Sequence, residues 1–110
     1  MPFANKIVIV TGGANGIGRG IASAYARKGA KVLLADMDER AGKKSEYELK
    51  QEGADVLFVK TDVRNADDIS NLMRTAKLRF GRIDILINNA GKGLFKSPFD
   101  VTVEEWDDII

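Results

Sequence analysis

Residues 11–18, TGGANGIG, form a glycine-rich stretch between two segments of regular pattern. The run KIVIVT at residues 6–11 leads into it, and its apolar, β-branched side chains are typical of a buried strand. Apolar residues then recur every four positions at Ile17, Ile21 and Tyr25, as on one face of a helix. Because glycine loses more conformational freedom on folding than any other residue, ordering this stretch is costly. The pattern therefore predicts a tight strand-to-helix turn, and the cost of ordering it indicates that its backbone has a functional role.

The alternation of strand and helix patterns continues along the whole chain. Further strands are predicted at residues 31–35, 55–60 and 84–88, and helices at 39–52 and 65–80. A capping box from Thr102 to Glu105 predicts the start of another helix. Strands that alternate with helices favour a parallel sheet with right-handed crossovers. The predicted fold is a single α/β domain over residues 1–110, the N-terminal portion of a Rossmann-type doubly wound sheet, with four strands in the order β-α-β-α-β-α-β and the start of a helix.

The position of the glycine-rich turn predicts an anion site. Ligands of open parallel sheets bind beyond the carboxyl ends of the strands, and a helix N-terminus there suits a pyrophosphate. The strict G-x-G-x-x-G fingerprint is absent, because Ile21 stands where its last glycine is required. The Walker A motif is excluded, since Arg19-Gly20 replaces its Lys-Ser/Thr. The pattern present is T-G-x-x-x-G-x-G, and a plain tight turn without a ligand is the alternative.

Asp36 is the second signal for a dinucleotide. It ends the second predicted strand, 18 residues after Gly18, and dinucleotide-binding folds place a ribose-binding carboxylate about 20 residues after the glycines. A carboxylate accepts from both ribose hydroxyls and repels a 2′-phosphate, so that Asp36 favours NAD over NADP. The nearby Arg40 weakens this preference, and a plain surface acid is the alternative.

Composition excludes several classes of function. The chain has 17 Lys and Arg against 16 Asp and Glu, a formal net charge of +1, and neither cysteine nor histidine. A Cys/His metal site, a disulfide and a histidine general base are therefore impossible. The near-balance of charge offers no electrostatic basis for binding nucleic acid or an anionic membrane. No apolar run approaches the roughly 20 residues that span a bilayer, and we expect a cytoplasmic protein.

These residues together resemble the short-chain dehydrogenase/reductase family. TGGANGIG is similar to its glycine-rich turn, and Asp36 to the acid of its NAD-preferring members. Thr61-Asp62-Val63 is similar to its adenine-contacting segment, the motif at Asn88–Gly91 matches its Asn-Asn-Ala-Gly sequence, and Trp106 resembles the start of its next helix. The five segments occur in order along the whole chain.

The resemblance implies an NAD(P)-binding role for particular residues. Asp36 would hold the ribose, while Asn88 would brace two strands. The remaining implied cofactor-binding residues are Gly12, Asn15, Gly16, Ile17 and Gly18 for the pyrophosphate region, Asp62 and Val63 for adenine, and Asn89, Ala90 and Gly91 for the floor of the site. A turn-capping aspartate is the alternative for Asp62, and a simple strand-ending turn for the Asn-Asn-Ala-Gly motif.

The family's catalytic groups have no counterpart in the 110 residues. Members transfer a hydride between nicotinamide and an alcohol or carbonyl carbon, using a serine, a tyrosine and a lysine four residues after the tyrosine. Tyr25 is followed at that spacing by Gly29, and Tyr47 by Gln51. We expect the chain to be the N-terminal part of such an oxidoreductase, truncated before the catalytic half and inactive alone, with its substrate bound only by the longer protein.

Two alternatives and one structural expectation accompany this interpretation. A stand-alone nucleotide-binding or assembly module would carry the same motifs. A phospho-acceptor switch domain is disfavoured, because Thr11-Gly12 stands where its acidic cluster should be. If the sheet ends at the fourth strand, that strand has an open edge with Ile85, Leu86 and Ile87 exposed, and the chain should self-associate or form a homo-oligomer through it.

Overall fold

The computed structural model describes residues 3–89 and the backbone of residues 100–101. The elements are β1 (Ile7–Thr11), α1 (Gly16–Arg27), β2 (Lys31–Asp36), α2 (Glu39–Gln51), β3 (Val56–Lys60), α3 (Ala66–Phe80), β4 (Ile85–Asn88) and β5 (Asp100–Val101). The sheet order is β3-β2-β1-β4-β5, with the first four strands parallel. The predicted doubly wound fold and its four strands and three helices are confirmed. The helix predicted from Thr102 lies outside the described residues.

Strand β1 is the central strand, and its register with its neighbours brings the carboxyl ends of the parallel strands to one edge of the sheet, called the aligned edge below. Its last residue, Thr11, pairs with Ala35 of β2 and with Asn88 of β4. On the far side of β2, Asp36 pairs with Lys60 at the end of β3. The carboxyl ends of all four parallel strands therefore lie at nearly the same level. The turns that follow them share this edge, which brings together segments distant in sequence.

Both faces of the sheet are buried beneath helices. Alternate residues of a strand point to opposite faces, and Ile9 and Leu33 pack with α3 through side chains such as Leu72. The opposite face, which includes the fully buried Val8 and Val10, carries α1 and α2 through Ala22, Leu49 and neighbouring residues. A sheet buried on both faces needs nearly continuous apolar strands, as in IVIVT and KVLLAD.

Of the three helices within residues 3–89, two have an N-terminus with a side-chain cap. The Asp38 carboxylate accepts from the amide of Ala41 at α2, and the Asn65 side chain accepts from the amides of Asp67 and Asp68 at α3. Helix α3 ends at Gly81, whose φ of 86° is left-handed, as is typical of a glycine at a helix C-terminus. None of the helices within residues 3–89 is long and apolar enough to cross a membrane.

The predicted exposure at β4 is wrong for two of its three residues. Strand β5 pairs antiparallel with β4, with Leu86 opposite Val101 and Ile87 opposite Asp100. Leu86 and Ile87 are 0% and 2% exposed, while Ile85 is half-buried. The physical reason is that the edge of a sheet presents backbone N–H and C=O groups, whereas side chains point to the two faces, which helices cover here.

Two glycines with opposite backbone requirements provide a test of the fold. Gly81 has a left-handed φ, whereas Gly20 lies inside α1 with open space around the position of a Cβ atom. We expect Gly81→Ala to lower the free energy of unfolding by about 1 kcal/mol. Gly20→Ala should raise it by about 0.5–1 kcal/mol. Urea unfolding of both variants measures the two changes, and equal signs would contradict the assignment of the two backbone conformations.

Candidate functional site

The glycine-rich turn joins β1 to α1 at the aligned edge of the sheet. Gly12 and Gly16 have φ values of 65° and 56°, a region that residues with a Cβ atom rarely adopt. The Gly12 amide donates to the carbonyl oxygen of Ala35 at 2.7 Å, which secures the turn to β2. Asn15, in extended conformation, precedes α1 but makes no side-chain cap hydrogen bond. The first turn of α1 also contains no acidic residue. Its N-terminus therefore differs from those of α2 and α3 in presenting amides without a side-chain cap.

Gly18 allows α1 to lie against the turn and against the end of β4. A Cβ atom on Gly18 would lie 1.9 Å from the carbonyl oxygen of Gly12 and 2.8 Å from Nδ2 of Asn89. Real Cβ atoms essentially never approach other heavy atoms this closely, so that any side chain here would force the backbone apart. Gly18 is therefore a position of close packing, which only a residue without a Cβ atom can occupy. The neighbouring Ile17 is 74% exposed at the start of the helix.

Asp36 anchors the turn from the end of β2. Its Oδ2 accepts from the Ala14 amide at 3.1 Å, and its Oδ1 accepts from the Asp38 amide at 3.0 Å. Each carboxylate oxygen has about two acceptor positions, so that each retains one for a further donor. The side chain is half-buried. Asp36 is therefore held at a defined orientation beside the N-terminus of α1.

A hydrogen-bond network connects β1 to the end of β4. The buried Thr11 hydroxyl lies 3.0 Å from Oδ1 of Asn88 and 3.3 Å from the carbonyl oxygen of Ile87. The Asn89 amide donates to the same hydroxyl at 3.0 Å, and Nδ2 of Asn89 donates to the carbonyl oxygen of Gly12 at 3.4 Å. The expected bracing role of Asn88 is confirmed, and Asn89 is brought to the glycine-rich turn. The two other residues of this predicted motif, Ala90 and Gly91, lie outside the described residues.

The segment after β3 lies beside Asp36. It contains an ion pair between Asp62 and Arg64 that the sequence patterns do not predict. The Thr61 amide donates to the carbonyl oxygen of Asp36 at 2.8 Å. Asp62 accepts from the Arg64 amide and Nε at Oδ1, at 2.9 and 3.0 Å, and from Nη2 at Oδ2, at 3.2 Å. These side-chain hydrogen bonds to Arg64, followed by its backbone amide, lower the pKa of Asp62. Val63 packs partly buried against the core beneath α3. Asp62 therefore stabilises its own turn whether or not it also contacts a ligand.

The sequence patterns do not predict the roles of Ser45 and Arg19, which stabilise the glycine-rich turn through hydrogen bonds from α2 and α1. Ser45 of α2 donates from Oγ to the carbonyl oxygen of Ala14 at 2.7 Å. Arg19 of α1 donates from Nη1 to Oγ of Ser45 and to Oε1 of Glu48. The available signal was the placement of Ser45 between Gly42 and Leu49 on the buried face of α2, where a hydroxyl needs a partner.

Sequence comparison with known proteins identifies the family of the chain. The family model for short chain dehydrogenases matches residues 6–110. The chain belongs to the short-chain dehydrogenase family. An uncharacterized oxidoreductase of Thermotoga maritima is 43% identical over 105 residues, which are 96% of this chain and 41% of the relative. An L-fucose dehydrogenase of Oryctolagus cuniculus is 42% identical over 103 residues, which are 94% of this chain and 35% of that enzyme.

Solved structures agree as well. A short-chain dehydrogenase/reductase of Burkholderia phymatum, crystallised in complex with NAD, superposes with a TM-score of 0.80 and 39% identity. The superposition covers 84% of this chain and 33% of that one. This short-chain dehydrogenase chain thus spans about 41% and 35% of the length of the two curated relatives described above.

Gly18 offers a direct test of the packing at the site. Because a Cβ atom would overlap the Gly12 carbonyl, we expect Gly18→Ala to reduce the free energy of unfolding of this short-chain dehydrogenase chain by about 1–3 kcal/mol, the usual cost of overpacking. Gly20→Ala is the matched control, because Gly20 lies two residues later in the same helix and has open space around the position of a Cβ atom. Urea unfolding measures both, and a Gly18→Ala variant as stable as the control would contradict the close approach.

The ion pair at Asp62 predicts a pH dependence. Since Arg64 lowers the pKa of Asp62 in the folded chain, the pair stabilises the fold above the ordinary carboxyl pKa. That contribution is lost as the pH falls through the lowered value. We expect the Asp62 carboxyl carbon, followed by NMR titration, to titrate below the usual aspartate range and to return towards it in Arg64→Ala. Arg74→Ala, which removes an exposed arginine of α3, should leave the titration unchanged.

Proposed function

We propose that this chain is the NAD-binding portion of an oxidoreductase that transfers a hydride between a nicotinamide cofactor and an alcohol or carbonyl substrate. The observation that carries the proposal is the pairing of an uncapped helix N-terminus with an oriented carboxylate. Asn15 makes no side-chain cap at α1, and Asp36 is hydrogen-bonded to the Ala14 amide immediately before it. Family membership and the NAD complex of the similar Burkholderia phymatum structure support the same conclusion.

The glycine-rich turn has the features that a pyrophosphate requires. The N-terminus of a helix carries a partial positive charge and unpaired amides. At Gly16, no atom other than those of the adjacent residues and of the helix's own backbone lies within 4 Å of the position that a Cβ atom would occupy, and the residue is exposed. Gly16 therefore leaves the backbone open to close approach by a phosphate. We assign the pyrophosphate region to Gly12, Asn15, Gly16, Ile17 and Gly18.

Asp36 has the features that a vicinal diol requires. Its two oxygens each accept one backbone amide and each retain one acceptor position, which matches the two hydroxyls of an adenosine ribose. A 2′-phosphate would place its negative charge next to this carboxylate, and like charges in close proximity repel each other. The arrangement supports NAD as the preferred cofactor over NADP.

The segment after β3 supports an adenine site beside the ribose site. Oδ2 of Asp62 accepts one hydrogen bond from Arg64 and therefore retains capacity for the amino group of adenine. The lowered pKa of Asp62 keeps its carboxylate ionised and acceptor-only at neutral pH. We propose that Asp62 and Val63 contact adenine, and that Asn89, Ala90 and Gly91 form the floor of the site.

The residues of this chain hold and orient the cofactor without supplying the reacting acid or base. When bound, the nicotinamide ring supplies or accepts the hydride. Tyr25 packs edge-on against Phe3, with ring centroids 5.0 Å apart, and Tyr47 is 64% exposed on α2. Neither tyrosine belongs to the site at the aligned edge. We therefore propose that these 110 residues bind the dinucleotide but do not by themselves complete a catalytic centre.

Calorimetric titration of the purified protein with NAD and with NADP tests this proposal. We expect NAD to bind more tightly than NADP. Asp36→Asn should raise the Kd for NAD about tenfold or more, because a hydrogen bond to a charged group contributes about 1.5–3 kcal/mol. Asp36→Asn should also reduce the ratio of the Kd for NADP to the Kd for NAD, because the negative charge that repels the 2′-phosphate is removed.

The matched control is Asp55→Asn, which removes an exposed carboxylate immediately before β3, at the opposite end of that strand. This variant should bind both dinucleotides as the unaltered protein does. Failure of the folded, unaltered protein to bind either dinucleotide would contradict the proposed function. Tighter binding of NADP than of NAD would contradict the assignment of Asp36.

A further inference from the structure

Ser45 is a buried hydroxyl that the proposed dinucleotide site does not use directly. It lies on the inner face of α2 and is 2% exposed. Its Oγ is 2.7 Å from the carbonyl oxygen of Ala14 and 3.2 Å from Nη1 of Arg19. A surface helix gains nothing from burying a hydroxyl unless that group is hydrogen-bonded. The partner here is the backbone of the glycine-rich turn, 31 residues earlier in the chain.

The Ser45 hydroxyl accepts from Arg19 and donates to the Ala14 carbonyl, which can only accept. A guanidinium has donors and no acceptor, and a serine hydroxyl has a single proton. Ser45 must therefore accept from Arg19, which leaves its own proton for the Ala14 carbonyl. Glu48, 2.9 Å from Nη1 of Arg19, holds the guanidinium in place. Because this ion pair is partly exposed, its own contribution to stability is small, and its effect is to orient Ser45.

The two hydrogen bonds at Ala14 define the path of the chain into α1. The Ala14 amide donates to Asp36 on one side, and the Ala14 carbonyl accepts from Ser45 on the other. In a trans peptide the carbonyl and the following amide point in opposite directions. Since Ser45 draws the Ala14 carbonyl towards α2, the Asn15 amide of the same peptide plane is directed away from α2. That amide is the first of those at the N-terminus of α1.

We propose that Ser45 is a positioning residue for dinucleotide binding, acting through Ala14 to orient the backbone amides that receive the pyrophosphate. This inference rests on the proposed function of the site. The hydrogen bonds of Ser45 join it to Ala14 and Arg19, and not to Asp36 or Asp62, which are assigned to the ribose and the adenine. The loss of its hydroxyl should therefore weaken ligands that carry the pyrophosphate and spare those that lack it.

Titration of the purified protein with two probes tests this selectivity. ADP-ribose carries the pyrophosphate, whereas adenosine has the base and the ribose alone and is followed by ligand-observed NMR. We expect Ser45→Ala to raise the Kd for ADP-ribose about five- to tenfold, as the loss of one oriented hydrogen bond predicts. The Kd for adenosine should change less than about twofold. Ser70→Ala, which removes an exposed serine of α3, is the matched control and should alter neither.

Ser45→Cys keeps the experiment decisive if Ser45→Ala does not fold. A thiol is larger than the hydroxyl and leaves no empty space as Ser45→Ala does, but it is a weak donor, so that we expect the same selective loss. Equal weakening of both probes would identify Ser45 as a purely structural residue and overturn the inference. Unchanged binding of ADP-ribose by a folded Ser45 variant would also overturn it. If the unaltered protein binds neither probe, the proposed function fails, and the inference fails with it.

Discussion

The parallel pairing of β1 with both β2 and β4 is the constraint on which the site depends. Thr11 is opposite Ala35 on one side and Asn88 on the other, and all five residues of β1 are buried. A shift of one residue in either register would exchange the side chains of the two buried faces and disrupt their packing against the helices on both sides. Because the register is so strongly specified, the turns after β1, β2 and β4 meet at one edge. The site is thus a consequence of how the core packs.

Hydrogen bonds between these turns then convert proximity into defined geometry. Ala14 is bonded to Asp36 and to Ser45, while Thr11 is bonded to Asn88 and Asn89. Polar side chains buried at such a junction are costly unless each has partners. None of these hydrogen bonds caps the N-terminus of α1, whose amides have no side-chain cap. The structure thereby keeps a favourable anion site open instead of closing it with its own carboxylate, as it does at α2.

Sequence patterns predicted the elements well because each signal was local. The apolar runs of β1 and β2, the cap at Asn65 and the left-handed glycine at Gly81 act within a few residues of the chain. Reasoning failed where side-chain direction and long-range partners mattered. An open edge at β4 predicts that Leu86 and Ile87 are exposed, whereas their side chains point to faces that helices cover. The ion pair of Asp62 with Arg64 depends on a rotamer choice that spacing alone does not specify.

The sequence by itself determined the alternation of strands and helices, the absence of any cysteine or histidine chemistry, and the placement of glycines and Asp36 at strand ends. These features follow from composition and from short-range periodicity, which determine the secondary structure without reference to long-range contacts. Only the tertiary structure decided that Ser45 supports the glycine-rich turn, that Arg19 orients Ser45, and that Gly18 lies against Asn89. Such pairings join residues 26–71 positions apart, and three-dimensional packing selects them from many polar side chains of similar local pattern.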